Sequence, residues 1–453
     1  MMSFGRLNRN LGGLMAALIL TGWCAAPQAA PAKLIDEDPP IRVLLADSMT
    51  SAAVTPTSSW RVASPDGSVL AKLAADVETT IVASGSGMVL ERGDGKPPTK
   101  LGTGPVVVES ADTTGVLGIK RIPYGVGWWW EAHENRIYEG RVEFRAAGDG
   151  KLVIVGILPL ERYLRGVVPS EIGADSPHEA LCAQAVAARS AAVLALTERI
   201  YAGTHHDICS DVACQAYSGV TKATAGSDAA VAATRGLVLM FDGKPLSAYY
   251  ASNCGGFSED IRNVWPDRAD DRGYWNTALF DGDGTTTLDL STEEGIRAWI
   301  DSSPDVFCNP AKSKVPEWSK RNFRWTREFT ADEMTSAVAT KRDIGRVTAI
   351  RPVKRGPSGR LIEAEFVGEK GVLKVSPELA IRQVVAPPLR SAAFIVETRG
   401  DAARPDSFVI RGGGWGHGVG MCQTGAVGMA NMGRKHPEIL KHYFSNATLE
   451  KLY

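Results

Sequence analysis

Between Ile41 and Gly156 the chain offers no stretch with helical periodicity. Short β-branched or apolar runs follow one another instead: IRVLLA, TTIVASG, GMVLER, VVVES, RVEFRA and KLVIVG. Asp-Gly, Gly-Asp-Gly and Pro-Pro punctuate them, and such residues turn the chain back before a helix can nucleate. This part is therefore expected to be antiparallel β. The character changes at Leu158. Leu160 to Val168 has the pattern of a short helix, and Ser176-Pro177-His178-Glu179 opens a long one. Ser176 suits the cap, Pro177 the first helical position, and Glu179 the closing position of a capping box. Leu181, Ala185, Ala188, Ala192 and Ala195 recur at helical spacing, with Gly203 as a natural stop. Side chains this small predict a buried helix approached closely by its neighbours. Further capping boxes start at Ser291 (to Glu294) and Thr330 (to Glu333), and strand-like RVTAIRPV, LIEAEFVG, AAFIVE and SFVIRG follow. A glycine-rich loop then leads into a helix from about Met421 to Met432, and Pro437 to Phe444 reads as one more. The expected fold is α+β: an antiparallel β-rich N-terminal part packed with a buried Ala-rich helix and a C-terminal glycine-rich loop-helix. The N-terminal β segment is placed at 33–140 and the main domain at 141–453, with an inserted region at about 271–345.

The first thirty residues stand apart. Arg6 and Arg9 precede an apolar run from Leu11 to Trp23, and small, Pro-containing sequence follows to Ala32. Basic, apolar, small is the order of a secretory signal peptide, and the run is too short to span a bilayer. Export to the periplasm or cell envelope follows. Cys24 raises lipidation, but Trp23 stands where a small residue is expected, so a cysteine removed with the leader is the stronger reading. No later stretch reads as a transmembrane helix. Lys and Arg total 50 against 51 Asp and Glu. A nucleic-acid binder would normally carry a basic excess, so nucleic acid is not an expected partner.

Four segments carry candidate chemistry. In LPLERYLRGVVPSEIG, Glu171 is read as a loop carboxylate between two helices, just after Pro169. Beside a packed Ala-rich helix its pKa would rise, as a general acid requires. On composition alone, a structural carboxylate remains the stronger reading. Glu161 and Arg165 have ion-pair spacing on a solvated face, and Arg189 would hold either Glu171, a substrate oxygen or a structural partner. In HHDICSDVACQAYSG, His205, His206, Cys209 and Cys214 are soft or borderline ligands that suit zinc, and a Cys209–Cys214 disulfide is an equal alternative. In YYASNCGGFSED, Asn253 to Gly256 reads as a turn of close backbone approach, and Cys254 is expected to pair with Cys308. In FVIRGGGWGHGVGMCQTGA, glycines would form a groove floor, with Trp415 as a stacking face, His417 as a hydrogen-bonding group and Gln423 reaching substrate. A packed loop with a satisfied His417 carries equal weight. Trp128-Trp129-Trp130 is read as a strand with at least one ring in the core, and secondarily as a carbohydrate platform.

Taken in order, ERYLRGVVPSEIG with EALCAQAVAARS, DVACQAYSG, NCGGFSED and GGGWGHGVGMCQTGA resemble stage II sporulation protein D and the related amidase-enhancer proteins. The likeness runs from about Arg141 to Tyr453. It implies action on peptidoglycan glycan strands, as a lytic transglycosylase whose catalytic glutamate falls on Glu171. It also implies a groove lined by the loop around His417 and Gln423, and zinc held at His206, Cys209 and Cys214 as in some members. Ala213 stands where some members have a histidine, and Cys182 where a lysine is more usual. A lytic transglycosylase needs no second carboxylate, because the muramic acid 6-hydroxyl replaces water; Glu179 is accordingly assigned to the helix cap. The alternative implied by the same resemblance is a non-catalytic wall-binding protein that enhances a cell-wall amidase.

Overall fold

Alternation of side chains decides the first layers. Along Ser51–Pro56 half-buried and buried residues alternate strictly, which places one face of the strand in the core. The computed structural model describes residues 35–112, 115–268 and 279–453. The expected leader with Cys24 and the first residues of the expected insertion, 271–278, lie outside them.

Two sheets share the first core. The larger, of seven strands, runs in the order Ile208–Cys209, Pro40–Met49, Lys151–Pro159, Arg141–Ala147, Val106–Ser110, Trp60–Ala63, Val69–Leu73. Its pairs are antiparallel except for Ile208–Cys209, which lies parallel to Pro40–Met49. The other, of six strands, is ordered Ala132–Tyr138, Leu117–Tyr124, Ser51–Pro56, Thr79–Ser84, Gly87–Arg92, Thr99–Gly102. Ile41, Val43, Ile81, Leu90, Phe144 and Ile154 from the two sheets meet in one apolar cluster. The N-terminal β segment and the residues after 141 are therefore one structure: Arg141–Ala147 pairs directly with Val106–Ser110.

Helix α1, Leu160–Ile172, continues without a break from the strand Lys151–Pro159. It runs four residues past the expected end at Val168 and carries Pro169 inside its last turn, which places Glu171 on a helix rather than in a loop. Helix α2 is His178–Glu198, and the capping box expected at its start does not form. Pro177 is the cap residue, the Ser176 hydroxyl donates back to the Ile172 carbonyl, and Glu179 turns away to another helix. The second expected box does not form: Thr292 rather than Ser291 accepts from the backbone N–H of Gly295, which has no side chain to close a box; the third, at Thr330 and Glu333, forms as expected. By length and composition α2 is apolar enough to cross a membrane, contrary to the sequence expectation, yet 83% of that stretch is buried inside the fold. Its apolarity has a packing cause. Ala180, Ala185, Ala188 and Ala192 face the first core, while Ala183, Val186 and Ala187 face a second one built from Leu239, Ile296, Met421 and Ile439. A helix enclosed on both sides has no polar face to keep.

A third core gathers the strands Arg324–Thr330, Val347–Arg355, Leu361–Gly368, Phe394–Gly400 and Pro405–Gly413 around Met334, Phe366 and Phe408. Arg324–Thr330 pairs along its whole length with Pro405–Gly413, so residue 345 marks no structural boundary.

Candidate active site

The last turn of α1 brings Glu171 to the wall of a cleft of about 810 Å³. Glu171 is half-buried, and three groups address its carboxyl. The Ala216 N–H donates to Oε1 at 2.6 Å, the Gln423 amide donates to Oε2 at 3.4 Å, and the Tyr250 hydroxyl is a further hydrogen-bond partner. Burial nevertheless dominates and pushes this carboxyl up to about 7, the three hydrogen bonds offsetting only part of the cost of ionising it. Near neutrality it can both give and take a proton.

Each partner is itself held. Gln423 opens the helix Gln423–Asn431, is 4% exposed, and also donates to Gln184 of α2 at 3.2 Å. The single Tyr250 hydroxyl proton serves either Glu171 or Gln215 Oε1, which is 2.8 Å away, and the Gln215 amide donates to Tyr163 and to the Ala188 carbonyl. Gln184, Gln215 and Tyr250 were not singled out from sequence. Nothing in their spacing separates them from ordinary core-edge polar residues; only the convergence of four segments on Glu171 does.

The segment after Cys209 positions two walls at once. Asp211 accepts from the backbone N–H groups of Gly125 and Val126, tying down the turn that carries the three tryptophans. That run is a turn between Leu117–Tyr124 and Ala132–Tyr138, not a strand, and none of its rings enters the core. Turn geometry lets Trp128 and Trp130 stack at 5.0 Å, and Trp128 lines the cleft. Tyr249, Trp265 and His417 form a second aromatic group lining it, with Trp265 4.8 Å from the His417 ring and 4.9 Å from Tyr249.

The other expected site residues divide. Arg189 is fully buried and grips both oxygens of Glu161 at 2.8 Å, with its remaining contacts on main-chain carbonyls, so it is a structural cation and not a substrate ligand. Glu161 therefore does not pair with Arg165, which binds Glu139 and Asp228. His417 is in the cleft wall, but its Nδ1 already accepts from the Val419 N–H and the backbone of Tyr250 bonds its ring. Burial, with Arg360 and Arg382 nearby, pushes its pKa down to about 3, so it stays neutral and serves as a fixed wall. Trp415 is not among the residues lining the cleft; its main chain pairs with Asn253 at 2.8 and 3.1 Å. This is the close backbone approach expected there: a Cβ on Gly255 would lie 2.9 Å from Gly414 N, and one on Gly414 2.8 Å from Asn253 O. Gln423 faces Glu171 rather than open cleft. Glu179 leaves its own helix unserved and caps another, accepting from the His436 N–H at 2.9 Å and pairing with Lys435.

Cys209 and Cys214 are joined as a disulfide. With both thiols consumed and His206 set against the Tyr201 ring at 5.0 Å, the residues of this segment do not fit a zinc ion. The expected Cys254–Cys308 disulfide is absent: the two sulfurs stand 3.7 Å apart as free thiols.

The chain is thus a β-rich scaffold around a buried Ala-rich helix, with Glu171 at the wall of an aromatic-lined cleft. Residues 148–241, which include Glu171, match the family described as Stage II sporulation protein, and residues 260–420 match a Domain of unknown function (DUF8618). The stage II sporulation protein match thus takes in α1, α2 and the segment of Cys209 and Cys214. It is 28% identical over 313 residues to stage II sporulation protein D of Bacillus amyloliquefaciens, covering 65% of this chain and 75% of that one. It is 27% identical over 302 residues to the amidase enhancer of Bacillus subtilis, covering 63% of this chain and 40% of the relative. An uncharacterized protein of Brachyspira hyodysenteriae is 26% identical over 312 residues, with 69% and 72% covered.

Proposed function

We propose that the protein is exported to the cell envelope and cleaves peptidoglycan glycan strands as a lytic transglycosylase, with Glu171 as the only acid and base. The observation that carries this reading is a glutamate poised near pH 7 in an aromatic-walled cleft. Protonated Glu171 gives its proton to the glycosidic oxygen as the bond from the anomeric carbon breaks. The muramic acid 6-hydroxyl attacks that carbon, and the carboxylate just formed takes the hydroxyl proton. The glutamate ends as it began, no water is consumed, and the product carries a 1,6-anhydro ring. Hydrolysis would instead use a second carboxylate as nucleophile or base; Asp47, Asp211 and Glu378 also line the cleft, with Asp211 bound to the Gly125 and Val126 N–H groups and Glu378 paired with Arg382. Ala216, Gln423 and Tyr250 orient the carboxyl, and Trp128, Trp265 and Tyr249 offer faces against which sugar rings can stack.

A second reading has its own support. The relative named amidase enhancer and the full set of donors around Glu171 also suit a cleft that binds glycan without cutting it, presenting the wall to an amidase. Denuded glycan strands digested with wild-type protein and with Glu171→Gln, then analysed by mass spectrometry, separate the two. Anhydromuramyl ends from wild type alone support the enzyme. Strand binding without such ends leaves the enhancer.

A further inference from the structure

Behind the cleft, in the second core, four ligating side chains meet that the proposed chemistry does not use. Cys254 comes from the loop after Tyr250–Ala251, and Asp281 and Cys308 from the segment between residues 279 and 310. Cys422 ends the short strand Met421–Cys422 and caps the helix that begins with Gln423. Tyr250–Ala251 and Met421–Cys422 lie side by side in parallel, which sets Cys254 against Cys422. One ligand atom from each of the four lies within 4.8 Å of the others, and all four residues are between 0 and 3% exposed.

Buried thiols by themselves are ordinary core groups, but three of them converging with a buried carboxylate make a donor set that a single cation would satisfy. We propose that Cys254, Cys308, Cys422 and Asp281 bind one tetrahedral zinc ion, a structural site that locks the start of the Gln423 helix to the segment 279–310. The geometry fits one ion. Ligands about 2.3 Å from a tetrahedral zinc stand about 3.7 Å from one another, and the Cys254 and Cys308 sulfurs are 3.7 Å apart. An iron–sulfur cluster would spread its ligands more widely, and a disulfide would bring two sulfurs into bonding contact and leave the third cysteine and Asp281 without a role.

The surroundings suit thiolates. The Cys422 sulfur accepts from the N–H groups of Cys254 at 3.2 Å and Gly425 at 3.3 Å, and the Cys254 sulfur accepts from Gly256 at 3.3 Å. Asp281 is oriented by the Tyr443 hydroxyl at 2.5 Å and by the main-chain N–H of Cys308 at 3.1 Å, as second partners orient a ligating carboxylate. Gly425 leaves the space these groups need, since a Cβ there would lie 2.1 Å from the Tyr443 hydroxyl and 2.6 Å from Asp281. Three thiolates and a carboxylate around Zn²⁺ leave an excess of negative charge, and the Arg324 guanidinium, bonded to the Gly255 carbonyl at 3.0 Å, offsets part of it. Binding exchanges the thiol protons for the metal and changes no oxidation state. The chain thus places its zinc donors in the core behind the cleft, while the Cys209–Cys214 pair is oxidised.

The test is metal content of the full chain, purified without chelator or metal-affinity resin. About one zinc per chain is expected, retained in the Cys209→Ser/Cys214→Ser double variant and lost in Cys422→Ser. Should Cys422→Ser not fold, cobalt exchanged into the double variant decides, because thiolate-to-cobalt absorption with tetrahedral visible bands can come only from the remaining cysteines. Zinc well below one equivalent in wild type, or a peptide map showing a disulfide among Cys254, Cys308 and Cys422, overturns the proposal.

Discussion

Glu171→Gln isolates the cost of keeping an ionisable group at the cleft wall. The glutamine has nearly the same shape and can still accept from the Ala216 N–H, but it cannot ionise. In the folded protein burial raises the Glu171 pKa from 4.5 to about 7. Between those values the folded chain keeps a proton that the unfolded chain has lost, so wild-type stability falls as pH rises, and the full penalty is present above about pH 7. At roughly 1.4 kcal/mol per unit the shift corresponds to about 3 kcal/mol. The stability of Glu171→Gln relative to wild type should therefore improve by about that much between roughly pH 4 and pH 8.5. All other titrating groups are shared by the two proteins and cancel in the difference. Urea unfolding followed by tryptophan fluorescence across this range measures it. If the two pH profiles run parallel, Glu171 is not held up by burial, and the acid–base argument built on it fails as well.

Three further outcomes are expected. Gln423→Ala removes a donor that holds the Glu171 pKa down, so the alkaline limb of the pH–activity profile should move upward, whereas a merely structural role would lower activity at every pH. Arg189→Met should cost about 3–5 kcal/mol in urea unfolding, because it strands the Glu161 carboxylate inside the fold. Cys209→Ser with Cys214→Ser closes no loop in the unfolded chain and should cost about 2 kcal/mol. Loosening the Asp211 clamp on the tryptophan turn should also change the emission of Trp128 and Trp130, read as a fluorescence shift in the folded protein.

Local rules carried the secondary structure far. The strand runs before Gly156 and the capping box at Thr330 appear where side-chain alternation and cap chemistry place them. They failed at three places, at two of which a distant partner outbid the local one. Glu179 had a cap position on its own helix and took the N-terminus of another. Pro169, ordinarily a helix breaker, sits in the last turn of α1 and so moves Glu171 from loop to helix. Trp128 to Trp130 form a turn anchored by Asp211 from far along the chain.

The resemblance carried by four ordered motifs was enough, without structure, to name Glu171 and Gln423 as candidates; the fold sets Gln423 on the Glu171 carboxyl rather than on the open cleft. What sequence could not reach was which polar groups touch. Arg189 had Glu171, a substrate oxygen or an unnamed structural partner as candidates, and packing in three dimensions gave it Glu161, which spacing had assigned to Arg165. Cysteine chemistry was left equally open: spacing along the chain suggested zinc or a disulfide at Cys209 and Cys214, and a disulfide between Cys254 and Cys308. The fold oxidises the first pair and gathers the second with Cys422 and Asp281, residues up to 168 positions apart. Periodicity and capping are written in neighbouring residues, whereas ligand sets and ion pairs depend on distances that only the folded chain creates.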